Sequence, residues 1–184
     1  MVLIGRRRWL AAAGGTLAAG LTLRKPRAET LPDAARALLP IDPPEPAPDI
    51  VFVSADGREH HLTEFLGHGM LINLWATWCA PCVAEMPELA ALSKALAPDD
   101  IAVLPLSSDR GGASAVQAFY QEHGITGLPV LLDPKGAAAR TWQARGIPTS
   151  LVIDKQGRER ARLEGSADWS TTAAAARVRK LVAG

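Results

Sequence analysis

Cysteine is scarce in this chain: Cys79 and Cys82 are the only two among 184 residues. A disulfide-stapled scaffold, which needs several bridges, is thereby excluded. A structural zinc site wants four ligands, and His60, His61, His68 and His123 stand at no spacing that would complete one with the cysteine pair. Aromatic residues are few, at 5%, and the net charge is only +1, which argues against a nucleic-acid surface. Long hydrophobic runs are lacking too. The apolar stretch from Trp9 to Leu23 holds about 15 residues, short of the roughly 20 that span a bilayer. The apolar fraction of 48% suits one globular domain with a real core plus appendages. The sequence contains no internal repeat.

What is present is concentrated. Trp78-Cys79-Ala80-Pro81-Cys82 follows the apolar run Met70 to Trp75 and opens a helix-like stretch, Val83 to Leu96. A Cys-x-x-Cys at a strand-to-helix junction is the pattern of a thiol–disulfide exchange site. Helix-start N–H groups and the helix dipole stabilise a thiolate there. A free thiol with a pKa of about 8.5 is only a few per cent ionised at neutral pH, and lowering it to about 7 makes half of it thiolate. Cys79 is the expected nucleophile, exposed at the helix start, and Cys82 the more buried resolving thiol one turn on. Pro81 stiffens the turn between them and carries no N–H. A purely structural disulfide here would close a very small loop, where the entropic gain is least. Any redox chemistry belongs to this pair, and no cofactor or metal beyond the Cys79–Cys82 disulfide is expected.

The N-terminus reads as an export signal over residues 1–28. Gly5-Arg6-Arg7-Arg8-Trp9-Leu10 precedes an Ala/Gly-rich apolar stretch. Paired arginines followed by an aromatic and Leu resemble the twin-arginine signal, whose pathway carries folded proteins. The expected compartment is the periplasm or its extracytoplasmic equivalent, with the signal cleaved or kept as a short membrane tether. Residues 29–48, with Pro40, Pro43, Pro44, Pro46 and Pro48, read as a stiff extended linker. Within it, Asp33 to Leu39 has room for one or two helical turns. The folded domain is expected over 49–184.

Along that domain, Ile50 to Val53 reads as a strand, Asp56-Gly57 as a turn, and His61 to Gly67 as a second strand running into a helical turn. Met70 to Trp75 has the continuous apolar character of a buried parallel strand. Val83 to Ala97 is helical by periodicity, with Pro87 expected to kink it. Ile101 to Leu106 and Val130 to Leu132 read as strands, Ala113 to His123 and Ala137 to Ala144 as helices. Ser150 to Ile153 and Glu159 to Leu163 form a hairpin, and Thr172 to Val182 closes the chain as a helix. Strands alternating with helices imply an α/β domain with a central mixed sheet flanked by helices.

From Asp49 to Gly184 the chain resembles thioredoxin-fold domains of the TlpA/ResA type, with their N-terminal extension. The residues carrying this are Asp56-Gly57, Leu62 to Phe65, Leu71 to Cys82, Glu85-Met86-Pro87, and Gly146-Ile147-Pro148-Thr149-Ser150-Leu151-Val152-Ile153-Asp154. The resemblance implies an exported thiol–disulfide oxidoreductase that reduces disulfides of periplasmic partners. Its substrates would be apocytochrome c during cytochrome c maturation, or a copper-delivery protein. A membrane thiol-transfer protein of the DsbD/CcdA type would recharge it. In ordinary thioredoxins a buried Asp on the central strand handles the resolving thiol's proton. The matching position here is Asn73, which does not titrate, and the resemblance passes the role to Glu85, three residues after Cys82. It also makes Ile147–Pro148 a cis peptide facing the cysteines, where the Ile147 backbone pairs with a bound partner strand. Trp78, Pro81, Ile147, Pro148 and Thr149 are thus the expected partner-binding residues. Trp142 and Trp169 read as packing residues, and the four histidines as solvated or capping groups. Two rivals remain: a thiol peroxidase of the peroxiredoxin type, whose Pro-x-x-x-Thr-x-x-Cys motif does not precede Cys79, and a copper-binding or metallochaperone module.

Overall fold

The apolar run at the centre of the sequence becomes β4 (Gly69–Trp75), buried along its whole length. It pairs in parallel with β5 (Ile101–Ser107) and antiparallel with β7 (Thr149–Ile153). The computed structural model describes residues 31–184, so the export signal read over 1–28 lies outside the described residues. The remaining strands are β1 (Leu39–Pro46), β2 (Val51–Ser54), β3 (Glu59–His61), β6 (Leu131–Leu132) and β8 (Arg158–Glu164), and the sheet runs β1-β8-β7-β4-β5-β6-β2-β3. The helices are α1 (Ala34–Ala37), α2 (Ala80–Leu96), α3 (Gly112–Glu122), α4 (Ala137–Thr141) and α5 (Thr172–Ala183). This is a thioredoxin-like α/β fold with a mixed sheet between two helical layers.

Side chains alternate across a strand, and β4 uses both faces. Leu71 and Trp75 point into the cluster built with α1, α2, α3 and α5. Met70, Ile72 and Leu74 point into the opposite cluster with Phe52, Leu62, Ala138 and Trp142. The same alternation puts Asn73 on the α2 side, fully buried. Sheet and helix come unusually close at Gly69, where a Cβ would stand 2.5 Å from Val182 Cγ1 on α5.

The active-site helix starts early. Cys79 is its N-cap and Pro81 lies in the first turn, where the missing N–H is no loss. Pro87 sits inside the helix on its exposed side. α4 is shorter than its pattern predicts, because the chain leaves the helix at Trp142 and turns through Gln143 at φ 52°. Trp142 then donates its indole N–H to the Pro48 carbonyl at 3.1 Å.

Over the described part of the predicted linker, residues 31–48, the chain is folded rather than the free extended segment that composition suggested. Asp33 caps α1 by accepting from Ala35 N, and Ala34 and Leu38 are buried in the core. The proline-rich stretch then forms β1, antiparallel to β8, with a register irregularity between Pro40 and Glu45. Proline is compatible with an edge strand because one row of N–H groups there needs no partner. The folded domain therefore begins before Asp49.

Candidate active site

The strand-to-helix turn that carries the cysteines is fastened from the β5–α3 connection. Asp109 is almost fully buried and accepts from Thr77 N at 2.9 Å, from Thr77 Oγ1 at 2.6 Å and from Ser107 Oγ at 2.7 Å. Ser108 N donates to the Trp75 carbonyl at 3.0 Å. These bonds fix the backbone just before Cys79, and nothing in the sequence pattern singled out Asp109 for that task.

Cys79 and Cys82 are joined as a disulfide, with Cα atoms 5.2 Å apart. Cys79 is 7% exposed and Cys82 is fully buried. Cys79 is the more accessible of the two, as expected, but it is buried rather than exposed at the helix start. Cys82 N donates to Cys79 Sγ at 3.3 Å, the helix-cap contact that would stabilise a thiolate at that sulfur. Trp78 stands 69% exposed beside it, while Trp75 is buried against Phe119 and stacked on Tyr120. Pro81 is exposed on the same rim.

The loop before β7 closes the other side. The Ile147–Pro148 peptide is cis, and the Ile147 carbonyl oxygen lies 3.8 Å from Cys79 Sγ. Ile147 is half-buried and Pro148 buried. Thr149 departs from its expected place on the binding surface. It is fully buried, and its hydroxyl donates to the Gly146 carbonyl at 2.7 Å, so it shapes the loop from within.

Glu85 lies on the same face of α2 as Cys82, and both are fully buried. Its Oε1 accepts from Asn73 Nδ2 at 2.9 Å. Its Oε2 accepts from Ala167 N and from Trp169 Nε1, each at 3.3 Å. Burial pushes the Glu85 carboxyl up to about 7, against the pull of these three donors, and the nearby Glu88 carboxylate adds to the rise. Glu88 is itself raised by burial and accepts from Trp169 N at 2.9 Å. Asn73 also donates to Ser150 Oγ at 3.0 Å, leaving its Oδ1 without a partner. A carboxyl poised near neutrality, three residues along the same buried helix face from Cys82, is equipped to exchange a proton with that sulfur once the disulfide is reduced. Trp169 belongs to this cluster as well as to the core. Its sequence neighbours gave no sign of that, since its partner lies 84 positions away. Among the described residues, no three His, Cys, Asp or Glu side chains gather as metal ligands.

Residues 43–161 match the AhpC/TSA family. A thiol-disulfide oxidoreductase ResA from Geobacillus thermodenitrificans is 31% identical over 120 residues, 65% of this chain and 68% of that protein. Among solved structures, the exposed lipoprotein thioredoxin of Streptococcus pneumoniae is 28% identical, with a TM-score of 0.55 over 72% of this chain and 98% of that one. A secreted thiol-disulfide isomerase from Corynebacterium glutamicum shares the fold, with a TM-score of 0.68 at 23% identity over 80% of this chain and 93% of that one. The chain belongs to the AhpC/TSA family of thioredoxin-fold proteins and is a thiol–disulfide oxidoreductase of the ResA type.

Proposed function

We propose that the protein works outside the cytoplasm as a reductant of partner disulfides, with Cys79 as nucleophile, Cys82 as resolving thiol and Glu85 as the acid/base coupled to Cys82. The observation that carries this reading is the buried Glu85 carboxyl, poised near pH 7 on the same helix face as the buried cysteine. The Cys79 thiolate attacks one sulfur of a partner disulfide; a mixed disulfide forms and the partner's other sulfur leaves as a thiolate. Glu85 takes the Cys82 proton. The Cys82 thiolate then attacks Cys79 Sγ, closing the Cys79–Cys82 disulfide and releasing the second partner sulfur. The partner gains two electrons and, with protons, two thiols. A membrane thiol-transfer protein of the DsbD/CcdA type returns the pair to its reduced state.

Exposed Trp78 and Pro81 flank Cys79 in the chain, and the Ile147 carbonyl lies 3.8 Å from its sulfur, which suits an extended partner segment laid along the Ile147 backbone. The substrate class proposed is a cysteine pair in an exported apoprotein, apocytochrome c being the leading member. Export by the twin-arginine route rests on Arg6, Arg7, Trp9 and Leu10.

Trapping tests the reading directly. A Cys82→Ala variant expressed in cells retains its partners as mixed disulfides through Cys79. Cytochrome c precursors among the captured proteins support the proposed job. A copper-delivery protein in their place moves the substrate within the same class, and a catch without exported cysteine-pair proteins overturns the reading.

A further inference from the structure

The carboxyl assigned to proton transfer is held by parts of the chain that lie outside the central strand–helix unit. Gly165 to Thr171, the connection between β8 and α5, touches three other regions. Gly165 N donates to the Pro148 carbonyl at 2.9 Å, tying the connection to the loop that faces Cys79. Ala167 N and Trp169 Nε1 both reach Glu85 Oε2. Asp168 forms a parallel bridge with Asp33, through Asp168 N to the Pro32 carbonyl at 2.9 Å and Ala34 N to the Asp168 carbonyl at 3.1 Å. Asp33 Oδ1 also accepts from Thr171 Oγ1 at 3.1 Å, and Thr171 in turn caps α5.

We infer that Trp169 is a positioning residue for Glu85, and that the N-terminal segment at Asp33 holds Trp169 in place through the 165–171 connection. The inference rests on Glu85 acting as the acid/base. The physical argument is one of donors. Both bonds to Oε2 are at the long end of the hydrogen-bond range, so small displacements of the connection change their strength steeply. Each donor favours the carboxylate over the neutral acid. The backbone that supplies them is stitched on one side to Asp33 and on the other to Pro148. Displacing either stitch therefore alters how readily Glu85 accepts the Cys82 proton.

The other ionisable groups around Glu85 act differently. Glu88 carries negative charge and opposes the ionisation of Glu85, and Asp168 opposes that of Glu88. Cys82 is the proposed proton partner. Of the basic side chains on α5, Arg179 is engaged by Asp99 and the Ala95 carbonyl at the far end of α2, Lys180 is exposed, and Arg177 makes no hydrogen bond to Glu85. The Trp169 indole thus stands as the side-chain donor from the connection itself.

The experiment is a carboxyl ¹³C titration of the full chain labelled at glutamate, run beside the pH profile of dithiol oxidation. Subtraction of the Glu85→Gln spectrum assigns the Glu85 resonance. Trp169→Phe keeps an aromatic side chain but exchanges the indole for a smaller phenyl ring, removing the N–H. It is expected to move the Glu85 titration upward by roughly one pH unit, with the acid limb of the kinetic profile following it. Thr171→Val loosens the Asp33 stitch and is expected to move both in the same direction by less; it also carries the test if Trp169→Phe does not fold. In a Glu85→Gln background neither change moves the kinetic profile. A folded Trp169→Phe protein with the Glu85 resonance titrating at its original pH overturns the inference. A kinetic profile insensitive to Glu85→Gln overturns the acid/base reading instead, while the resonance still reports whether Trp169 sets the titration.

Discussion

Replacing Glu85 with Gln separates the cost of burying a charge from every other feature of the site. The carboxyl ionises at an ordinary 4.5 when the chain is unfolded and at about 7 in the folded, oxidised protein. Between those values the folded state keeps a proton that the unfolded chain has released. Stability from this group is therefore complete below pH 4.5 and is lost as pH rises through 7. Each pH unit inside the window removes about 1.4 kcal/mol, which integrates to about 2.5 kcal/mol between pH 5 and pH 8. The glutamine has a satisfying arrangement available. Its oxygen accepts from Ala167 N and Trp169 Nε1, and its amide faces Asn73, whose unpartnered Oδ1 rotates to receive it. Guanidinium unfolding of both disulfide-intact proteins, repeated from pH 5 to pH 8, measures the effect. Titrations not coupled to Glu85 are common to both proteins and cancel in the difference; that of Glu88, whose charge acts on Glu85, adds a smaller contribution. The variant should gain on the parent by about 2.5 kcal/mol across the range. Two parallel stability curves would refute the claim that Glu85 is buried at a cost and titrates near neutrality.

Two further variants have expected outcomes. Asp109→Ala strips the acceptors from Thr77 N, Thr77 Oγ1 and Ser107 Oγ, and should cost about 3 kcal/mol in denaturant unfolding. The same variant should also change the alkylation rate of reduced Cys79, because the turn presenting it loses its fastening; an unaltered rate would reduce Asp109 to a purely structural role. Exchanging Arg6 and Arg7 for Lys should leave precursor in the cytoplasm on fractionation, and normal export of that variant removes the twin-arginine assignment.

Much of the fold was legible because its strongest signals are local. β4 is buried on both faces and so reads as an unbroken apolar run, and the cysteine pair follows it directly. The β7–β8 hairpin declares itself through Asp154 to Gly157, with Gly157 at φ 77°. The edge strand β1 was not legible, because a proline-rich composition reads equally as a free extended segment and as a strand that needs few N–H donors. Residues such as Trp169, Ala167 and Asp109 acquire their roles only when distant segments meet, and no periodicity records such meetings. Thr149 shows the converse: its motif placed it correctly in the chain, but the direction of its hydroxyl is decided by the loop it closes.

The two flanks of the sheet bear on how such a protein survives its clients. An oxidoreductase that meets incompletely folded chains risks having them zip onto any open strand. On one flank Pro40, Pro43, Pro44 and Pro46 offer no amide hydrogens, so an incoming chain finds a broken row of donors. The opposite flank ends in the three residues Glu59, His60 and His61, too short and too polar to recruit a neighbour. An unfolded chain meeting this protein would therefore gain little by adhering to the sides of the sheet, which leaves the end that carries the sulfur atoms for productive encounters.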